Sequence, residues 1–297
     1  FPSHAPRFHH DHPRGKLVEQ KYIAGVLHKL QHEGFAMRPA LNSTGTIKGK
    51  KAIWKIAGTG VATEMAPGIT EVTVMNADRT TVEVDLKDYE ANDWIRVTDV
   101  HKMPENEQQV SQKTAAMALG RKFDRLAIAD AEGGAIETIG TGAAAISITD
   151  ILTAQGAIAN VGGGSYEYFC ALPNVLMQQL ELYREFSSSE WVGAEYPLLK
   201  QIGARRWRGI TFMPLPNPST DPLFAVPAAN QVDGYMWVKD YVGFVPNYEM
   251  DTRIDYVPTK KAWLAANTMG GAHKVLLPEG VKRLRFASNV ALTRPTP

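Results

Sequence analysis

The chain has 297 residues, enough for one large domain or two smaller ones, and 44% of them are hydrophobic, enough for a substantial core. Lys and Arg total 32 against 31 Asp and Glu, so no global charge directs the chain toward nucleic acid. A single cysteine, Cys170, excludes an intrachain disulfide framework and fits synthesis in a reducing compartment, and no apolar run approaches the ~18 residues of a membrane span.

Residues 1–16, FPSHAPRFHHDHPRGK, read as an arm: three prolines, Gly15 and few apolar side chains leave it unable to build a core of its own. Residue 1 is Phe rather than Met, and no secretory signal is read there. His4, His9, His10 and His12 suggest a metal site, but only Asp11 accompanies them on a Pro-broken segment. The plainer reading is a solvated or subunit-contacting arm. Leu17–Glu33 reads as a short helix with Ile23, Val26, Leu27 and Leu30 on one face and Gly34 ending it. His28 and His32 share the i, i+4 spacing of zinc-protease helices, but Lys29 stands where the catalytic Glu belongs. They read instead as surface histidines near a helix C-terminus.

From Ile47 to Glu90 the period changes. Ala52, Trp54 and Ile56 alternate with Lys51, Ile53 and Lys55. Val72 and Val74 alternate again, as do Thr80, Val82, Val84 and Leu86 with Arg79, Thr81, Glu83, Asp85 and Lys87. These are two-faced antiparallel strands, polar on one side, with breaks at Gly58-Thr-Gly60 and Ala66-Pro67-Gly68. A two-stranded ribbon is marginal alone, so this one is expected to lie on another subunit. Its first limb carries Lys48, Lys50, Lys51 and Lys55 and its later part Glu71, Asp78, Glu83, Asp85 and Asp88. That polarity suits a neighbouring copy, or simply a solvated face.

Residues 104–132 read as one long helix. Pro104 suits a first helical position, Glu105 and Glu107 complement the dipole, and Gly133-Gly134 supplies the stop. Ala116, Leu119, Phe123 and Leu126 make an apolar face. At 1.5 Å per residue the helix would be roughly 40 Å long and must lie across something broad.

Ala135–Ile139 reads as a strand, followed by Gly140-Thr-Gly142-Ala-Ala-Ala145 and a helix over Thr149–Ile158. Gly140, Gly142 and Ala145 match G-x-G-x-x-A, which makes a dinucleotide-binding enzyme the alternative of a different class. The acid expected about 20 residues further on is absent; that region reads Ala159-Asn-Val-Gly162. Tyr166–Leu172 reads as a buried strand and Pro173 opens a helix to about Tyr183. Gly164-Ser165 is no nucleophile elbow, because Glu167 replaces the second Gly. Cys170, between Phe169 and Ala171, reads as a core thiol.

Arg205–Pro214 reads as one strand. Residues 214–230 hold five prolines and read as a long surface loop. Gly234–Val245, Ile254–Val257, Ala262–Met269 and Val281–Phe286 are short strands, with turns at Pro246-Asn247, Gly270-Gly271 and Pro278-Glu-Gly280, and Asn289–Pro297 is a tail. Strand and helix mix without regular alternation, so the class is α+β. No catalytic, cofactor-binding or metal residue is assigned.

The order of these elements resembles the major capsid protein of tailed bacteriophages, the Hong Kong 97-type fold. Ala115–Gly134, AAMALGRKFDRLAIADAEGG, is similar to the end of the family's spine helix, with Ala118-Leu-Gly-Arg121 and Asp124 matching an ALGR-x-x-D segment. Tyr166–Val192 is similar to its strand-Pro-helix-aromatic segment, and Arg206–Met213, Gly234–Val242 and Gly271–Leu276 with Gly280-Val281 to its closing strands. The resemblance implies a Hong Kong 97-like capsid fold: N-terminal arm and short helix (1–44), extended β-hairpin loop (45–92), peripheral domain with spine helix (93–139), axial domain (140–250), and return strands of the peripheral domain with a C-terminal tail (251–297). It implies a structural, non-enzymatic protein without cofactors that self-assembles through hexamers and pentamers into the icosahedral head shell of the virion. Portal, scaffolding and cement proteins are implied partners; packaged double-stranded DNA would be touched non-specifically and no membrane at all. Synthesis would be in the host bacterial cytoplasm. An encapsulin-like nanocompartment shell is a variant on the same fold. No scaffolding domain and no Lys–Asn crosslinking pair is identified.

Overall fold

The computed structural model describes residues 32–292 other than 66, 69, 70, 72, 73, 76, 101–106, 163–165 and 188–204. In chain order the elements are β1 (Asn42–Ser43), β2 (Lys51–Ala57), β3 (Arg79–Asp85), β4 (Lys87–Glu90), β5 (Asp93–Arg96), α1 (Val97–Val100), α2 (Glu107–Gly134), β6 (Glu137–Ile139), α3 (Ile148–Gly162) and β7 (Tyr168–Pro173). There follow α4 (Asn174–Leu180), α5 (Arg184–Ser187), β8 (Arg205–Trp207), β9 (Ile210–Leu215), β10 (Gln231–Val238), β11 (Val242–Val257), β12 (Ala262–Val275) and β13 (Val281–Ala287). The architecture is mixed α+β, as the irregular alternation of patterns predicts.

Three sheets share these strands. A five-stranded sheet is built on the antiparallel pair β11–β12; β1 runs parallel to β11, while β4 and β5 both pair with β12. A six-stranded mixed sheet has the order β6-β13-β10-β7-β9-β8. The third is the ribbon β2–β3 alone. Residues of β7, YFCALP, are apolar throughout and all buried, which is how a strand covered on both faces reads.

Helix α2 lies across β12 and reaches both larger sheets. Its buried stripe is Ala115, Leu119, Phe123, Ala127 and Ala131, a strict i+4 row, with Ile128 beside it. Leu119 and Phe123 are where the periodicity places them; Ala116 and Leu126 are only half-buried. Phe123 is the hub: its ring meets Phe244 at 4.9 Å, His273 at 4.6 Å and Phe35 at 5.3 Å. The helix ends at Gly134, whose missing side chain makes room for Val275. The expected N-terminal features at Pro104 and Glu105 lie outside the described residues.

Several expectations are corrected. Pro246-Asn247 and Gly270-Gly271 are not turns but lie inside two continuous strands of 16 and 14 residues. The ladder shifts register between Pro246, Tyr248 and Asp251, a bulge that tolerates the proline. Gly270 and Gly271 are there because Cβ atoms would fall 2.4 Å from the Tyr248 ring and 2.8 Å from the Val245 carbonyl. The single strand expected over Arg205–Pro214 is a hairpin, β8–β9, turned by Arg208 and Gly209 at φ 49° and 80°. The loop 214–230 is irregular, as its prolines dictate, yet Leu223 and Phe224 enter the core, and Asn217 bonds both N–H and C=O of Phe224. Val74 is in no strand, and Val72 lies outside the described residues. The helix opened by Pro173 stops at Leu180 rather than Tyr183.

Candidate assembly surface

The ribbon is built from strict alternation. Lys51 pairs with Asp85 and Ala57 with Arg79 at the two ends of the ladder, and Gly58 N–H continues it by donating to the Asp78 carbonyl at 2.6 Å. Ala52, Trp54, Ile56, Val82 and Val84 share the covered face, and Trp54 lies against Gly243 of β11. On the other face Lys51 sits 3.6 Å from Glu83 and 3.8 Å from Asp85, exposed pairs worth little to stability. Beyond Ala57 the strands lose their support. Val61 is 77% exposed, Met65 90%, Val74 77% and Met75 60%. Four large apolar side chains are open to solvent toward the end of a thin ribbon, exposure of the kind that marks a protein contact.

A second constellation fixes the entry of residues 32–41 onto α2. His32 donates through Nε2 to Asp124 Oδ2 at 2.7 Å, and the N–H groups of Ala36 and Met37 donate to the same carboxylate at 3.1 and 2.9 Å. Asp124 is completely buried, so these three donors replace its water. One turn earlier, Phe35 N–H donates to the Gly120 carbonyl at 3.3 Å. The match to ALGR-x-x-D thus has a physical content: Gly120 admits the crossing chain and Asp124 holds it. His32 is therefore corrected from a surface histidine to a half-buried hydrogen-bond donor, and neither it nor Glu33 is helical. Residues 1–31, with His4, His9, His10, His12 and His28, lie outside the described residues.

The glycine-rich loop does different work from dinucleotide binding. Gly140 and Gly142 adopt φ 87° and 81°, and Gly142 N–H donates to the Arg285 carbonyl at 3.0 Å. A Cβ at Gly140 would lie 2.4 Å from that carbonyl, and one at Gly142 would strike Gln231. At the start of α3, Asp150 accepts from the N–H and hydroxyl of Ser147, and Ile146 N–H donates to Gln179. The amides of Gly142, Ile146 and Ser147 are thus committed within the chain. Cys170 is buried, and burial pushes its thiol up. Among the described residues no three or more His, Cys, Asp or Glu side chains gather as a metal site, and no helix is long and apolar enough to cross a membrane.

A family model described as phage capsid protein matches residues 16–288. The chain belongs to the phage capsid protein family. Its fold is similar to the capsid structure of the cyanophage P-SCSP1u, with TM-score 0.67 and 16% identity over 91% of this chain and 93% of that one. It is similar to a chain of Gordonia phage Cozz, with TM-score 0.70 and 11% identity over 91% and 92%, and to the mature capsid of bacteriophage PhiM1, with TM-score 0.67 and 12% identity over 92% of each. No curated protein matches the sequence. The fold is Hong Kong 97-like and the role is structural.

In this capsid protein the end of α2 is tied to the six-stranded sheet by charges that the sequence pattern did not reveal. Arg283 donates to the Glu132 carbonyl at 2.7 Å, placing a cation at the helix C-terminus. Arg285 grips the fully buried Asp233 through two bonds of 2.8 Å. Trp237 donates to the Ala40 carbonyl at 2.9 Å, so the strap 32–41 is fastened to β10 as well as to α2. Asn267, also fully buried, accepts from Thr252 and donates to Ala91, joining β12 to the ribbon's return. Alternation of charge and apolar residues along β13, KRLRFA, was the one available signal, since its two arginines share a face with their partner Asp233.

Proposed function

We propose that this capsid protein tiles the icosahedral head shell of a tailed phage around double-stranded DNA, with arm and ribbon reaching onto neighbouring copies. The observation that supports this reading is the apolar ribbon end, where Val61, Met65, Val74 and Met75 are exposed. Repeated heterologous contacts of this type close into a shell when curvature is built into each. The proposed division is an arm (1–44), a ribbon (45–92), a peripheral domain with the spine helix (93–139), an axial domain (140–250) and a closing segment (251–297). Strand β13 shares its sheet with β7 and β10, so one axial strand falls within that closing segment. Contact with DNA is electrostatic, sequence-independent and weak, given the near-neutral total charge. Portal, scaffolding and cement proteins are proposed partners, and host cytoplasm the site of synthesis.

Negative-stain imaging and sedimentation of the purified chain test the proposal. Closed particles of uniform diameter are expected; monomers and dimers alone under all assembly conditions overturn it. Double-stranded DNA inside isolated particles separates a phage head from an encapsulin-like compartment.

A further inference from the structure

An apolar groove of about 260 Å³ opens beside α2. Phe35, Phe123 and Phe244 line it together with Met250, and Arg38 and Glu249 pair at its rim. Met250 is 40% exposed, so this groove presents apolar surface to solvent. We infer that the ribbon end of a second copy seats here, with Met65 filling the groove and Val61 beside it. The inference rests on the shell reading above and deepens it by naming the surface that receives the ribbon.

Three observations select that occupant. The first is that each chain leaves both halves of the contact open. Val61 is 77% and Met65 90% exposed, so the ribbon end does not fill the groove of its own copy. An exposed apolar group that matches a pocket elsewhere on the same molecule makes a heterologous contact between copies, the kind that propagates around a shell. The second is the chemistry of the wall, which carries three phenyl rings. A thioether gains from lying against aromatic rings, and an unbranched Met bends to fit an irregular gap. An apolar cavity of about 150 Å³ already takes a benzene-sized group, so the groove has room for Met65 and part of Val61. The third is the approach. Residues 57–63 read AGTGVAT, slim and uncharged, and Met75 lies against Gly60 to back the limb that carries Val61. Glu64, exposed and next to Met65, arrives at the rim that holds the Arg38 cation.

Peroxide footprinting of the full chain, dispersed and assembled, tests it. Met65 reports the ribbon end, Met250 the groove and the buried Met213 the intact core. Met65 and Met250 should both oxidise at least fivefold more slowly in particles than in the dispersed chain, with Met213 slow in both. Met250 protected already in the dispersed chain overturns the inference, because the groove is then filled from within one copy. Met65 protected in particles that leave Met250 open also overturns it while the shell reading stands, since the ribbon then rests on another surface. Absence of particles removes both. Crosslinking identifies the pair: Met65→Cys chains co-assembled with Met250→Cys chains should form disulfide-linked dimers on oxidation, and either variant assembled alone should not. Mixed particles without that link overturn the pairing. Links among Met65→Cys chains alone do so as well, because ribbon ends then meet each other. The natural thiol, Cys170, is buried and does not compete.

Discussion

A Cβ placed on Gly34 would fall 2.1 Å from the carbonyl carbon of Gly120, so these two glycines meet backbone on backbone. Gly34 has φ 88°, and the chain turns there as it crosses α2. Seen from the helix, a Cβ on Gly120 would lie 2.8 Å from the Glu33 carbonyl and 2.9 Å from the Gly34 Cα. Gly120→Ala should gain about 1 kcal/mol of helix propensity but lose more through the clash, a net loss of about 1–3 kcal/mol. Gly156→Ala in α3 is the control, because open space surrounds that glycine. It should stabilise the protein by about 0.5–1 kcal/mol. Denaturant midpoints moving in opposite directions check the pair.

Asp124 accepts from two backbone donors, Ala36 and Met37, and it holds His32 as well. In Asp124→Asn one oxygen becomes an amide N–H₂ that faces a donor. A loss of about 2–3 kcal/mol is expected, since a buried N–H is left without a partner. His32→Ala leaves both backbone bonds in place and should cost about 1 kcal/mol. Urea denaturation of the two variants ranks them; a His32→Ala effect equal to or larger than that of Asp124→Asn would contradict the assignment.

What the sequence made legible was local. The alternation around Trp54 and Val82 specifies the ribbon, and the spacing of Leu119 and Phe123 specifies the spine helix, because each rests on one element's own period. Gly270-Gly271 misled for the opposite reason. Glycine pairs punctuate chains on average, but here their role is to admit the ring of Tyr248, more than twenty residues away. His32 misled likewise: its partner Asp124 is 92 positions distant. The motif around Asp124 was visible while its work was not, since only the fold brings residues 32–37 across the helix.

Burial between Phe123 and Phe244 lowers the pKa of His273 from 6.5 to about 4. The sign follows from which state binds the proton. Below pH 6.5 the unfolded chain protonates this histidine while the folded chain resists until about 4, so its contribution is full above 6.5 and falls away on acidification. The expected loss over that window is about 3 kcal/mol. Asp130 acts in the opposite sense in acid, because burial raises its carboxyl, partly countered by Lys274. His273→Phe keeps a ring in the stack and gives up nothing at Nε2, which has no partner among the described residues. Its stability between pH 4 and 6.5 should be flatter than that of the natural chain; equal slopes in thermal denaturation across that range would assign the acid sensitivity elsewhere.

The ribbon end and the spine helix should respond to damage in contrasting ways. Deleting residues 58–70 removes Val61 and Met65, which are exposed, and the one ladder bond from Gly58 to Asp78. The paired limbs Lys51–Ala57 and Arg79–Asp85 remain, with Trp54 still on Gly243. The monomer should therefore fold with its melting temperature nearly unchanged, while assembly into particles falls sharply. Phe123→Asp strikes the opposite place: it sets a carboxylate among Phe35, Phe244 and His273, where burial strips away its water and the aromatic stack is lost. That substitution should abolish soluble folded monomer, which circular dichroism and size-exclusion chromatography report directly. A deletion that destroys the monomer, or a Phe123→Asp chain that folds and fails only to assemble, would invert the division of labour between ribbon and spine.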